Sequence, residues 1–303
     1  MEALYIILTA FFIALSCGTL GTFLILRKMA MVGDAISHSV LPGIVIAFLI
    51  SGSRNNIPML IGAAAVGVLT TVLIELLHKK ARLQEDASIG VTFTWLFAIG
   101  VILISAFTGQ VDLDQECVLY GEIAYVPLDL IVTDSGTVMG PRPLWISGVM
   151  ALIVLLVTRI GYKGFFITTF NPDYAKALGI STLIWHFIFM SLVSLTTVVS
   201  FESVGAILVV ALLIAPPATA YLLTGKLKKM LLYTAIISLL ISVGGYTLAT
   251  LLNGSIAGAM ATAAGILFAG AYVIYKMKEK RGGITYSQSS ISNQTAKKPF
   301  QPY

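Results

Sequence analysis

Asp34 and His38 are the two side chains with the clearest capacity for chemistry. They lie in the run Met31-Val32-Gly33-Asp34-Ala35-Ile36-Ser37-His38-Ser39-Val40-Leu41-Pro42-Gly43, which is otherwise apolar or small. Four residues apart on a helix, the carboxylate and the imidazole project from one face about a turn apart, so one divalent cation can touch both. A charged group at the centre of a bilayer costs roughly 2.5–3.5 kcal/mol even on lenient insertion scales, so an Asp there calls for a partner or an aqueous path. The pair reads as a polar station on a route through a membrane. Pro42 and Gly43 follow within about a turn, and a helix broken there frees carbonyls beside the site, as transporter helices do. The competing reading makes Asp34 a cap of its helix near the cytoplasmic face, with His38 in a local hydrogen bond.

The elements that must position this pair are membrane helices. Of 303 residues, 57% are hydrophobic and only 11% charged, with a mean hydropathy of +0.94. Such a composition excludes an ordinary soluble domain. Apolar runs long enough to cross a hydrocarbon core roughly 30 Å thick fall at 4–26, 30–51, 57–77, 88–107, 144–161, 181–200, 203–223, 230–252 and 255–275. The reading is an all-α polytopic membrane protein of about nine transmembrane helices, eight or ten being the alternatives. The second run is the least regular, and Pro216-Pro217 is expected to interrupt the seventh. The chain divides into a transmembrane domain at 1–280 and a disordered cytoplasmic tail at 281–303, rich in Ser, Gln, Asn, Thr and Pro.

Orientation follows from the basic residues. With the N-terminus outside and the C-terminus cytoplasmic, all of the 19 Lys and Arg except Arg54 and Arg142 fall on the cytoplasmic side. Topology thus accounts for the net charge of +5, and nothing supports a nucleic-acid partner. The start, Met1-Glu2-Ala3 and then an apolar run, lacks the basic region and cleavage site of a signal peptide. Cys17 and Cys117 are expected at different depths, as free thiols.

Three further segments carry candidate function. The stretch from Thr108 to Pro143 holds Asp112, Asp114, Glu116, Glu122, Asp129 and Asp134 against Arg142 alone. An acidic mouth of this kind raises local cation concentration, although a solvated loop packed on a partner fits the same residues. On the cytoplasmic side, Asn171 as N-cap, Pro172 at the first position, Asp173 in the first turn, Ala175 within and Gly179 past the end predict a short surface helix. It offers a docking knob for another subunit. Glu202 is expected at the outer end of the seventh span, with a role in gating or metal entry or simple solvation. His186 and His78 read as structural or solvated. The chain carries no GxxxxGK[ST], HExxH or GxSxG, so it has no nucleotide site of its own and an intramembrane hydrolase has little to build on.

These residues together resemble the permease subunits of ABC-type importers of manganese, zinc and iron(II) (the ABC-3 family). The resemblance rests on Gly33-Asp34-Ala35-Ile36-Ser37-His38-Ser39-Val40-Leu41-Pro42-Gly43, on Ile89-Gly90-Val91-Thr92-Phe93-Thr94 with Leu96 to Gly100, on Ala175 to Gly179, and on Leu208 to Ala218. It implies a type II ABC importer-like fold in a bacterial cell membrane. It further implies a second permease subunit, identical or paralogous, two cytoplasmic ATPases that bind the ATP, and an extracytoplasmic metal-binding protein. Asp34 and His38 carry over as metal-pathway residues, and Asn171 to Gly179 as the coupling contact; Glu202 is matched by no such motif. The segment Val111 to Asp114 with Cys117 to Glu122 looks more like the manganese and iron branch than the zinc branch. The expected cargo is therefore Mn²⁺, with Zn²⁺ and Fe²⁺ as alternatives and no permanently bound cofactor. A proton- or sodium-driven secondary transporter, with Asp34 and His38 as a proton relay, is the competing mechanism.

Overall fold

The computed structural model describes residues 2–51, 56–107, 123–132 and 138–280. Along the chain come α1 (Glu2–Leu26), α2 (Val32–Ser39), α3 (Leu41–Ser51), α4 (Asn56–Lys80) and α5 (Glu85–Phe107). A 3₁₀ turn (Ile123–Leu128) and the strands β1 (Leu130–Val132) and β2 (Val138–Pro141) follow. Then come α6 (Arg142–Ile160), α7 (Tyr162–Phe170), α8 (Pro172–Ala177), α9 (Thr182–Val204), α10 (Ala206–Leu223), α11 (Leu227–Leu252) and α12 (Ile256–Lys280). Nine helical spans in the described residues are long and apolar enough to cross a bilayer, α2 and α3 together forming the second. The sequence reading of nine spans holds. The β1–β2 pair is a short antiparallel hairpin in register Leu130↔Pro141 and Val132↔Val138, an addition to an otherwise helical chain. The expected tail, 281–303, lies outside the described residues.

α1 is the hub, packed against α6, α9, α10 and α11. Its buried side includes Ala10, Ala14, Ser16, Cys17, Gly18, Gly21 and Thr22, small residues of the kind that let membrane helices approach closely. A Cβ at Gly18 would collide with Thr234 of α11, and one at Gly21 with the Leu213 carbonyl of α10. Hydroxyls tie the seams: Ser238 Oγ donates to the Ala14 carbonyl at 3.0 Å, and Thr22 and Thr234 share a bond of 3.3 Å.

Two sequence expectations change at this level. Pro216 and Pro217 lie inside α10, which runs unbroken through them. Proline removes the N–H that would reach the carbonyl four residues back, so Pro217 leaves the Leu213 carbonyl without its helical donor. That oxygen faces the Cα–H of Gly21, a weak donor placed where the helix lost a strong one. Glu202, expected at the outer end of the seventh span, belongs instead to the last turn of α9, the sixth. The boundary falls three residues later because Gly205, at φ +78°, makes the connection to α10 by itself. A β-carbon would be strained in that conformation.

Arg27, just past α1, fastens the basic end of the bundle. Its Nε donates to Thr169 Oγ1 at 3.0 Å and its Nη2 to Thr168 Oγ1 at 3.3 Å, while the guanidinium lies 4.5 Å above the Phe189 ring. Burial pulls its pKa down to about 10, still far enough above neutrality to keep the charge.

Candidate functional site

The order of small and large residues in α2 sorts its faces. Val32, Gly33, Ala35, Ile36, Ser37 and Ser39 are buried, whereas Asp34 and His38 stay partly exposed on one side. Gly33 lies so close to Leu213 of α10 that a Cβ would overlap that side chain. Ile36 lies against Gly67, which itself packs on Ser194, and these two stand near the midpoints of α4 and α9. Ser39 Oγ and Thr70 Oγ1 are 2.7 Å apart. These contacts fix α2 halfway along its neighbours, so the Asp34–His38 pair lies at mid-depth of the bundle.

That depth rules out a cap at the cytoplasmic face. The residue in the N-cap position is Met31, which makes no side-chain capping bond, and Asp34 stands inside the first turn of α2. The helix interruption is also milder than the sequence suggested. Only Val40 separates α2 from α3, with helical angles of φ −73° and ψ −16°. Pro42 and Gly43 lie within α3. Pro42 still has no N–H to offer the carbonyl of His38.

His38 Nε2 lies 3.6 Å from Asp34 Oδ1, and the two side chains are 40% and 36% exposed respectively. Phe93 and Phe97 of α5 flank the imidazole at centroid distances of 5.9 and 6.3 Å. An acid and an imidazole are thus held together on the outside of the bundle, half screened by aromatic rings, at a depth where lipid offers nothing to a polar group. Two donors make an incomplete shell for a divalent ion. Among the described residues no third His, Cys, Asp or Glu converges on them.

The other sequence candidates are spread out. Glu202 is exposed, and at ~1.5 Å per residue it stands about 12 Å along α9 from the level of Ser194. Asp112, Asp114, Glu116 and Glu122 lie outside the described residues, as does Cys117. Cys17 is buried and free, its Sγ 4.0 Å from Ser200 Oγ.

The short helix read from Asn171 onward is α8. Asn171 Oδ1 accepts from the Tyr174 amide at 3.0 Å, Pro172 holds the first position, and Gly179 ends the turn at φ +75°. Ala175 is wholly buried against the bundle, whereas Tyr174 and Leu178 are 55% and 53% exposed. Asp173 and Lys176 pair at 3.3 Å on the surface.

Sequence reasoning passed over Glu75. In α4 it pairs with Lys79 and, at 3.3 Å, with His186 Nε2 of α9, all on the basic side of the bundle. His186 is thereby a structural partner, and His78 Nδ1 lies 2.9 Å from the Leu83 carbonyl at the α4–α5 turn. An acid embedded in Leu73-Ile74-Glu75-Leu76-Leu77 was the available signal.

Comparison with known proteins adds three likenesses. The chain is 53% identical over 270 residues to the manganese transport system membrane protein MntD of Bacillus subtilis, covering 89% of this chain and 90% of that one. It is 39% identical to the zinc transport system membrane protein TroD of Treponema pallidum, across 91% of this chain and 74% of that protein. Among solved structures, PsaBC from Streptococcus pneumoniae in complex with Fab matches with a TM-score of 0.71 at 31% identity, over 88% of this chain and 89% of the other. The model of the ABC 3 transport family matches residues 3–275, and the chain belongs to that family.

Proposed function

We propose that this chain is the permease subunit of an ATP-driven importer of divalent metal ions, with Mn²⁺ as its cargo. The observation that carries the reading is the Asp34–His38 pair, held at mid-depth of a membrane bundle on an open face. A half-shell of one carboxylate and one imidazole suits an ion in transit, because a site that filled every coordination position tightly would not release it. A second permease subunit facing the first, identical or paralogous, supplies the rest of the shell at the joint surface.

The assembly is completed by two cytoplasmic ATPases and an extracytoplasmic metal-binding protein. The ATPases dock at the segment from Asn171 to Gly179, where exposed Tyr174 and Leu178 flank a rigidly capped turn. The N-terminus lies outside and the C-terminus in the cytoplasm of a bacterial cell, as the basic residues require. Ions enter past Asp112, Asp114, Glu116 and Glu122, with Glu202 near the outer end of α9 on the same side. The likeness to a protein named for manganese transport, at higher identity than to one named for zinc, supports the choice of cation. Zinc is the second reading, since affinity at N/O sites ranks Mn²⁺ lowest and selectivity rests on geometry.

The test is uptake of radioactive manganese by cells carrying Asp34→Ala or His38→Ala. We expect uptake to fall at least about tenfold, in the range seen when a metal site loses a supporting group, while the variant permease still co-purifies with its ATPase. Wild-type uptake by Asp34→Ala overturns the assignment. Competition with zinc and iron(II) in the same cells identifies the cation.

A further inference from the structure

A cavity of about 700 Å³ opens at the basic end of the bundle, among α1, α6, α7 and α11. It is separate from the Asp34–His38 face, since α6 and α11 pack on α1 whereas α2 packs on α4, α5, α9 and α10. Leu15, Leu155, Leu231 and Ala235 form its apolar wall, and Arg159, Lys163 and Lys228 stand at its mouth. All three cations are exposed, and none takes part in an ion pair with an acid of the described residues. Lys228 Nζ lies 5.9 Å from the centroid of the Tyr162 ring, which holds the ammonium over the opening.

We infer that this cavity is a binding site for one anionic phospholipid of the leaflet on the basic side of the membrane. The headgroup phosphate sits among Arg159, Lys163 and Lys228, and an acyl chain runs along Leu15, Leu155, Leu231 and Ala235. Charge complementarity selects the headgroup: three converging cations without acidic partners are what basic pockets between membrane helices offer to anionic lipid. The shape of the slot selects a lipid over a free anion. Leu15 lies eleven residues before the end of α1, and Ala235 eight residues after the start of α11, so the wall runs some 12–16 Å into the bundle at ~1.5 Å per residue. Phosphate or nucleotide needs no apolar slot of that depth.

In the proposed orientation that leaflet is the cytoplasmic one. Lipid binding in detergent does not depend on it, so the two readings fail separately. The full-length chain, purified in detergent, is titrated with phosphatidylglycerol and with phosphatidylcholine and followed by native mass spectrometry. We expect one phosphatidylglycerol to bind at least about tenfold more tightly than phosphatidylcholine. The triple variant R159Q/K163Q/K228Q should lose about fivefold per cation, on the order of a hundredfold in all. K276Q/K278Q, which removes basic charge elsewhere, should bind as wild type does. Should the triple variant fail to fold, Lys228→Gln alone reads the single-cation loss, and Ala235→Phe blocks the slot without touching charge. Equal affinity for the two lipids, undiminished binding by the variants, or displacement of the lipid by inorganic phosphate each overturns the inference.

Discussion

Replacing Gly21 by Ala tests how the hub helix controls the site. A Cβ at this position would overlap the Leu213 carbonyl oxygen outright and stand 2.9 Å from its carbon and 3.0 Å from Pro217 Cγ. Carbon atoms pack best at about 3.5–4.0 Å, so α1 and α10 must part by roughly 0.6–1.1 Å to satisfy the carbonyl carbon alone. The obstacle is backbone inside a buried proline-bearing helix, and it cannot step aside as a side-chain tip would. A gap of that size forfeits a quarter to a half of each contact it opens, and overpacking of this kind costs about 1–3 kcal/mol. The apparent Tm of the detergent-purified chain should fall by about 2–12 °C, at ~2–4 °C per kcal/mol. The same Leu213 side chain fills the space beside Gly33, next to Asp34. We therefore expect manganese uptake to fall with the Tm in Gly21→Ala. Gly244 has open space where its Cβ would be, so Gly244→Ala should leave both readings at wild-type level or raise the Tm slightly. A Gly21→Ala protein that melts within about 1 °C of wild type would show that α1 and α10 do not meet this closely at Gly21.

Arg27→Lys should cost about 1–3 kcal/mol of stability, because an ammonium cannot reproduce the two bonds to Thr168 and Thr169 together with stacking over Phe189; thermal melts against Arg27→Met would show the two variants nearly alike. Asn171→Ala removes the cap of α8 and should cost about 1 kcal/mol locally, seen as faster hydrogen exchange in 171–179 with the melt of the bundle unchanged. Cys17 is fully buried, so in a Cys117→Ser background it should resist a membrane-permeant maleimide until denaturant is added. Rapid labelling in the native protein contradicts the packing around α1. His186→Ala strips Glu75 of one partner at a site where both side chains are mostly buried, and a loss of about 1–3 kcal/mol is expected, partly restored by His186→Gln.

The sequence alone determined the class of molecule, the number of spans, the pair Asp34–His38 and the outline of α8. Each rests on something local: run length against bilayer thickness, i,i+4 spacing, and the order of Asn, Pro and Gly around one turn. Tertiary packing decided the rest. Whether Asp34 was a cap near the surface or a group at mid-depth depended on which residues of α4, α9 and α10 lie beside α2, and those contacts join positions far apart in the chain. Pro216 and Pro217 read locally as a break, yet α10 runs through them, and the carbonyl that Pro217 leaves without a helical donor faces the Cα–H of Gly21 on α1. Glu75 and His186 stand more than a hundred residues apart, and the lipid slot is shared by four helices. Neither has a periodicity to betray it, since what makes a pair or a cavity is the distance between elements, which no single stretch of sequence encodes.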